Sequence, residues 1–227
     1  MSGFLSIKTS IKGDKPVNQD AILTYEDDAL IVLALADGLG SAPYSDKGAK
    51  AICRSVVTNV RRSILTSSPL SGTNIVNYWD ALLRMKGLNP QDCLTTSSFV
   101  LINKKENKVT AAQIGDSQIY LIPDGLFVDN AKEKDFANIT ECVGSGNGIK
   151  YNVTGHHFEN SIRVLIASDG ICDELEPNTI PAMTDYLVER YSVMPKRRRN
   201  LALSGEVRRS FSKRNSDDKS MIFLWNE

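Results

Sequence analysis

Leu30-Ile31-Val32-Leu33-Ala34-Leu35-Ala36-Asp37-Gly38 is an unbroken apolar run that stops at an aspartate and a glycine. So short a run, rich in aliphatic side chains and closed by a turn dipeptide, reads as a strand over Leu30–Ala36. Asp-Gly after a strand is ordinarily no more than a hairpin turn. The same wording recurs, however. Ala111-Ala112-Gln113-Ile114 leads into Gly115-Asp116, Val164-Leu165-Ile166-Ala167 leads into Ser168-Asp169-Gly170, and Asn215-Ser216-Asp217-Asp218 precedes the run Met221–Trp225. Strand ends in a layered sheet converge on one edge, where carboxylates from distant parts of the chain meet. Two such groups about 4 Å apart repel by roughly 4 kcal/mol at an effective dielectric near 20, so a cluster demands protons or cations. Oxygen-only ligation selects hard ions such as magnesium or manganese.

Outward from this run, further strands are predicted at Ala21–Tyr25, Ser98–Asn103, Val109–Ile114, Gln118–Ile122, Ile162–Ala167 and Met221–Trp225, rich in β-branched and aromatic residues. Tight polar turns at Glu26-Asp27-Asp28 and Lys104–Asn107 favour antiparallel hairpins over βαβ units. Apolar residues at helical spacing (Ala49, Ile52, Val56, Val60, Ile64, then Ile75, Trp79, Leu82) mark two helices. Asp173–Tyr191 and Lys196–Phe211 predict two more. The Gly- and Asn-rich stretch Val143–Thr154 is expected to be a long loop.

A length of 227 residues, 41% hydrophobic and 24% charged, fits one domain with a real core, and no linker or repeat divides it. Basic and acidic residues balance at 27 each, so nothing global steers the chain to nucleic acid or to a membrane. No signal-peptide core or membrane-length apolar run is present, and a soluble cytoplasmic monomer is the expectation. Cys53, Cys93, Cys142 and Cys172 are scattered without zinc spacing and read as reduced, buried thiols. His156 and His157 are adjacent in a polar stretch and read as a surface pair. A Ser-His-Asp site finds no G-x-S-x-G elbow, and Cys172 has no evident base.

In their order along the chain, the motifs NQDA at 18–21, ADGLGSAPYSDKGA at 36–49, Thr95-Thr96, GDSQIYLI at 115–122, SDGICDEL at 168–175 and DDKSMIFL at 217–224 resemble the metal-dependent protein phosphatase family, type 2C, most closely its compact bacterial members. The resemblance implies an α+β fold over residues 1–227, a four-layer α-β-β-α sandwich of two mainly antiparallel sheets flanked by helices. It implies a protein serine/threonine phosphatase in which two Mn2+ or Mg2+ ions activate a water, with no phosphoenzyme. Asp37 would bridge both ions and the Gly38 carbonyl would add a ligand to one, while Asp169 with Asp217 would hold the other. Asp20 would anchor the second ion, and Asp116 with Asp169 a looser third position. Asp218 is the reserve candidate for Asp217, its plain alternative a solvated turn with Lys219. The implied partners are a phosphorylated protein substrate and a cognate Ser/Thr kinase.

Three positions depart from the family pattern. Lys15 stands where an arginine usually clamps the substrate phosphate, and it supplies charge without a planar two-pronged donor. Leu39 stands where some members carry a histidine, and Gln19 where glutamate is common. Lys15 is the best support for a rival reading, a weakly active or inactive phosphatase-like module that binds phosphoproteins. The basic stretch from Lys196 to Arg214 reads first as a solvated helix face, with attraction of an acidic protein and nucleic-acid binding as alternatives.

Overall fold

The computed structural model describes residues 3–129, 141–145, 150–211 and 214–226. Strands β1 (Leu5–Ile11), β2 (Ala21–Glu26) and β3 (Leu30–Ala36) come first, followed by helices α1 (Ser45–Leu65) and α2 (Gly72–Arg84). Then come β4 (Ser97–Asn103), β5 (Lys108–Ile114), β6 (Gln118–Pro123), β7 (Val128–Asp129), β8 (Asn152–His157) and β9 (Ile162–Ala167). A short helix α3 (Asp169–Cys172), then α4 (Ile180–Ser192), α5 (Lys196–Phe211) and β10 (Lys219–Trp225) complete the chain. One sheet has the order β1-β10-β9-β6-β7 and the other β2-β3-β4-β5-β8, with every pairing antiparallel. With helices outside each sheet, this is the expected four-layer α-β-β-α sandwich.

The layering explains why the opening run is apolar throughout. Every residue of β3 is buried. Ile31, Leu33 and Leu35 point between the sheets, where they meet Val100, Ile119, Val164 and Ile222. Leu30, Val32, Ala34 and Ala36 point outward, against Ile52, Val56, Ile75 and Trp79 of α1 and α2. Strand β10 divides in the same way: Ile222 and Leu224 join the middle layer, while Met221, Phe223 and Trp225 pack on Leu187 and Tyr191 of α4 and Leu203 and Val207 of α5. A strand covered on both faces has no reason to alternate apolar with polar.

Three elements differ from the expectation. Strand β1 (LSIKTSI) is an edge strand that turns Leu5, Ile7, Thr9 and Ile11 to the helices, and the polar residues between and among them mask it in sequence. Within the expected loop and just past it, Asn152–His157 forms an edge strand of the second sheet, paired with β5; residues 146–149 of that stretch lie outside the described residues. His156 and His157 therefore sit in a strand, opposite Val109 and Lys108. The expected helix Asp173–Tyr191 forms only from Ile180 on, as α4, after a 3-10 turn at Pro177–Thr179, while the short α3 lies before its expected start. Pro177 and Pro181 cause the break, because each lacks an amide hydrogen and is tolerated only in a first turn. All four cysteines are free and buried. Among the described residues, no helix is long and apolar enough to cross a membrane.

Candidate functional site

Antiparallel register brings the aspartates together. The end of β3 lies against the start of β2 (Ala36 opposite Ala21), which sets Asp37 beside Asp20. The end of β5 lies against the start of β4 (Ile114 opposite Ser97), just before Gly115 and Asp116. In the other sheet Ala167, at the end of β9, pairs with both Met221 and Gln118, so Asp169 adjoins the turn of Asp217 and Asp218 and the one of Asp116. All of the expected carboxylates thus share one edge of the sandwich. His156 and His157 lie toward the opposite end of β5, which removes them as ligands.

The backbone under each carboxylate is tightly held. The Asp37 amide donates to Thr96 Oγ1 (2.8 Å), and its carbonyl accepts from the Thr96 amide (2.8 Å) and from Thr95 Oγ1 (2.8 Å). Gly38 must be glycine, because a Cβ there would lie 2.8 Å from Ser45 and 2.9 Å from the Gln19 carbonyl. Asp20 is buried, and its Oδ2 accepts from Ser168 Oγ (3.1 Å), whereas Oδ1 has no hydrogen-bond partner among the described residues. Asp218 is also buried: Oδ1 accepts from the Gly13 amide and Oδ2 from the Gln19 amide, each at 2.7 Å. Its carboxylate is spent on anchoring the loop between β1 and β2. The Asp217 side chain stays half exposed, with Lys15 Nζ 3.8 Å from its Oδ1. Of the two neighbours, Asp217 is the one whose carboxylate lies open, and the solvated-turn reading of Asp218 and Lys219 is corrected, since both are buried.

Crowding shows in the acidities. Burial, together with the charges of Asp218 and Asp169, pushes Asp20 up to about 7. Asp37 is held well above the usual carboxylate range by burial, then by Asp20 and Asp169. Asp169 is raised by burial, with Asp116 and Asp217 adding to it. Among the described residues no three His, Cys, Asp or Glu side chains stand in ready-made ligand geometry. The donor set nevertheless fits a hard divalent cation. It is all oxygen, it is short of positive charge, and it includes a buried oxygen on Asp20 with nothing bound to it.

A family model described as Protein phosphatase 2C matches residues 9–208. The chain belongs to the protein phosphatase 2C family. No curated protein matches it significantly in sequence, but solved structures do in shape. RsbX in complex with magnesium is similar at TM-score 0.65 and 17% identity, over 99% of this chain and 96% of that one. The catalytic domain of the serine threonine protein phosphatase PstP in complex with two manganese ions is similar at TM-score 0.64 and 17% identity, over 98% and 97%. The S. agalactiae serine/threonine phosphatase is similar at TM-score 0.67 and 16% identity, over 99% and 100%. At these identities the likeness is one of fold.

Sequence reading missed several residues on which this phosphatase-family edge depends. Ser168 was legible only as the neighbour of Asp169, yet its hydroxyl serves Asp20. Lys219 is buried, and its ammonium donates to the Asn215 carbonyl (3.0 Å), Asn215 Oδ1 (2.9 Å) and the Asp217 carbonyl (2.6 Å). Asn215 Nδ2 in turn donates to the Gly170 carbonyl (3.1 Å). Lysine and asparagine thereby tie the turn that carries Asp217 to the turn that carries Asp169. Methionine fills the space of Lys219 without donating, so Lys219→Met is expected to cost about 2 kcal/mol and lower Tm by roughly 4–8 °C. Thermal unfolding checks this, and an unchanged Tm would show that the ammonium does not secure the turn.

Proposed function

We propose that this chain is a metal-dependent protein serine/threonine phosphatase that hydrolyses phosphoserine and phosphothreonine with two divalent ions, Mg2+ or Mn2+. The observation that carries the reading is the set of mutually repelling aspartates, Asp20, Asp37 and Asp169, each with its pKa raised, on one edge of a phosphatase 2C fold. The ions, when bound, supply a water acidic enough to attack phosphorus near neutral pH and positive charge for the phosphoryl oxygens. Asp37, with Asp20 and Asp169 both close to it, is the carboxylate suited to be shared between them. The Gly38 carbonyl, Asp20, Asp169 and Asp217 would complete the set that holds the ions, and Asp116 with Asp169 would hold a further one. Lys15 brings its ammonium beside Asp217 and the Gly38–Gly40 turn, where a Cβ on Gly40 would lie 3.5 Å from Nζ. There it attracts the substrate phosphate as a point charge.

The substrate in this reading is a phosphorylated protein made by a Ser/Thr kinase, and four unpaired cysteines suit a reducing compartment such as the cytoplasm. A second reading, phosphoprotein binding without turnover, is favoured by Lys15, which lacks the fork of an arginine and already contacts Asp217. Purified protein assayed on a phosphothreonine peptide with Mn2+, with Mg2+ and with chelator separates the two. Hydrolysis that requires the metal is expected. Binding of the peptide with no turnover under any metal would replace the first reading by the second.

A further inference from the structure

Helix α5 carries a cationic face that neither the fold nor the aspartate edge uses. Its sequence, KRRRNLALSGEVRRSF, has a single acid, Glu206, and that carboxylate is engaged by Arg190 Nε (2.5 Å) on α4. Arg199 is structural: it is buried, donates to the Met194 and Ser192 carbonyls, and lies over the Trp225 ring. Lys196, Arg197, Arg198, Arg208 and Arg209 remain, all exposed and, among the described residues, without an ion-pair partner. At helical spacing Arg197, Leu201 and Arg208 fall on one stripe, and Arg198, Gly205 and Arg209 on the next. Leu201, at the centre, is 77% exposed. A Cβ on Gly205 would meet only the tip of Arg209, at 3.4 Å, so the chain itself does not require a glycine there.

The dipole favours Arg208 and Arg209 in the last turn, but stability does not account for the rest of this face. Lys196, Arg197 and Arg198 occupy the first turn, which has no acid, although the helix dipole there disfavours each cation by about 0.3–1 kcal/mol. Repulsion among them adds to the cost, in a chain whose formal net charge is zero. An interior glycine costs about 1 kcal/mol more relative to alanine. The helix also leads toward the aspartate edge. Asn200 Oδ1 accepts from the Lys8 amide and Ser204 Oγ bonds Thr9 Oγ1, so α5 follows β1 toward Ile11, which pairs with Lys219.

We propose that the outward face of α5 docks an acidic segment of a protein partner, with a large apolar side chain of that segment seated on Leu201 over Gly205. Charge complementarity selects the partner's sign, and the exposed leucine beside a gap selects a protein. The apolar side of α5, Leu203 and Val207, is already buried on β1, so the helix has no face to insert into a bilayer. No aromatic residue stands in the stripe to stack on bases.

The test uses the full chain and labelled probes of similar length: a peptide of glutamates with a central leucine, the same peptide with a central serine, single-stranded DNA, and vesicles containing phosphatidylserine. Fluorescence anisotropy for the soluble probes, and co-sedimentation for the vesicles, is expected to rank the leucine peptide first. Raising NaCl from about 50 to about 300 mM should weaken that binding severalfold. Arg197→Glu with Arg208→Glu should weaken it about tenfold or more, and Leu201→Ser should erase the preference for leucine over serine. These exposed substitutions should leave the protein folded and hydrolysis of a small phosphoester unchanged, the dipole effects of Arg197→Glu in the first turn and Arg208→Glu in the last opposing each other in Tm. Asp37→Asn should leave peptide binding unchanged, so failure of the docking and failure of the phosphatase chemistry are distinguishable. No measurable peptide binding, binding indifferent to the arginine reversals or to Leu201→Ser, or tighter binding to DNA or vesicles overturns the proposal.

Discussion

Asp37→Asn is expected to lower metal-dependent hydrolysis of a phosphothreonine peptide by at least about a thousandfold, with the protein still folded. Asparagine keeps the size of the side chain and one carbonyl oxygen but loses the charge, which is what an oxygen ligand shared between two cations must contribute. The amide and carbonyl of residue 37 are held by Thr95 and Thr96 through the backbone or to it, so the turn survives the substitution. In metal-free protein the change also removes a partly buried carboxylate that is held well above its usual range by burial and by Asp20 and Asp169. Tm without metal should therefore stay level or rise while activity disappears, a separation of stability from function. Steady-state kinetics and thermal unfolding on the same preparation check both halves. Activity within about tenfold of wild type would remove Asp37 from the centre of the reaction.

The second large effect is a dependence of stability on pH that a divalent ion reverses. Asp20 ionises at about 7 in the folded protein, against the ordinary aspartate value of 3.8. Below 3.8 both folded and unfolded chains hold this proton and the group costs nothing. Between 3.8 and about 7 the unfolded chain has released it while the folded chain retains it, so stability falls as pH rises through this window. The upward shifts of Asp37 and Asp169 act in the same direction. The combined loss is on the order of a few kcal/mol. A cation that displaces these protons binds better as pH rises. Near a hundredfold excess over its Kd it restores about 2.7 kcal/mol. The metal-free protein should thus melt at a lower temperature at pH 8 than at pH 5.5, and Mn2+ should raise Tm more at pH 8. Equal Mn2+ shifts at both values would mean that the ion does not replace protons on these aspartates.

Much of the architecture was legible because burial on both faces leaves a plain record in sequence. Leu30–Ala36 and Ile162–Ala167 have their expected bounds, since a strand between a helix layer and a second sheet is apolar along nearly its whole length, Arg163 being the exception in β9. Strands β1 and β8 were not legible, because an edge strand needs apolar residues only where it touches the core. The break at Pro177 and Pro181 could have been read from the prolines themselves. Of the site, the sequence offered the aspartates and their places at strand ends. Between Asp217 and Asp218, which are adjacent and share one turn, only the family resemblance favoured Asp217.

The tertiary structure separates the surroundings of the two. Amides of Gly13 and Gln19, about 200 residues away in the chain, take both oxygens of Asp218 and leave Asp217 facing Lys15. What the sequence determined by itself is what depends on a residue and its near neighbours: strand, turn, helix, and a carboxylate at each strand end. What only the folded chain decided is which carboxylates are buried together, which hold backbone and which lie open. Burial and Coulomb repulsion act through space, and no spacing along the chain records them.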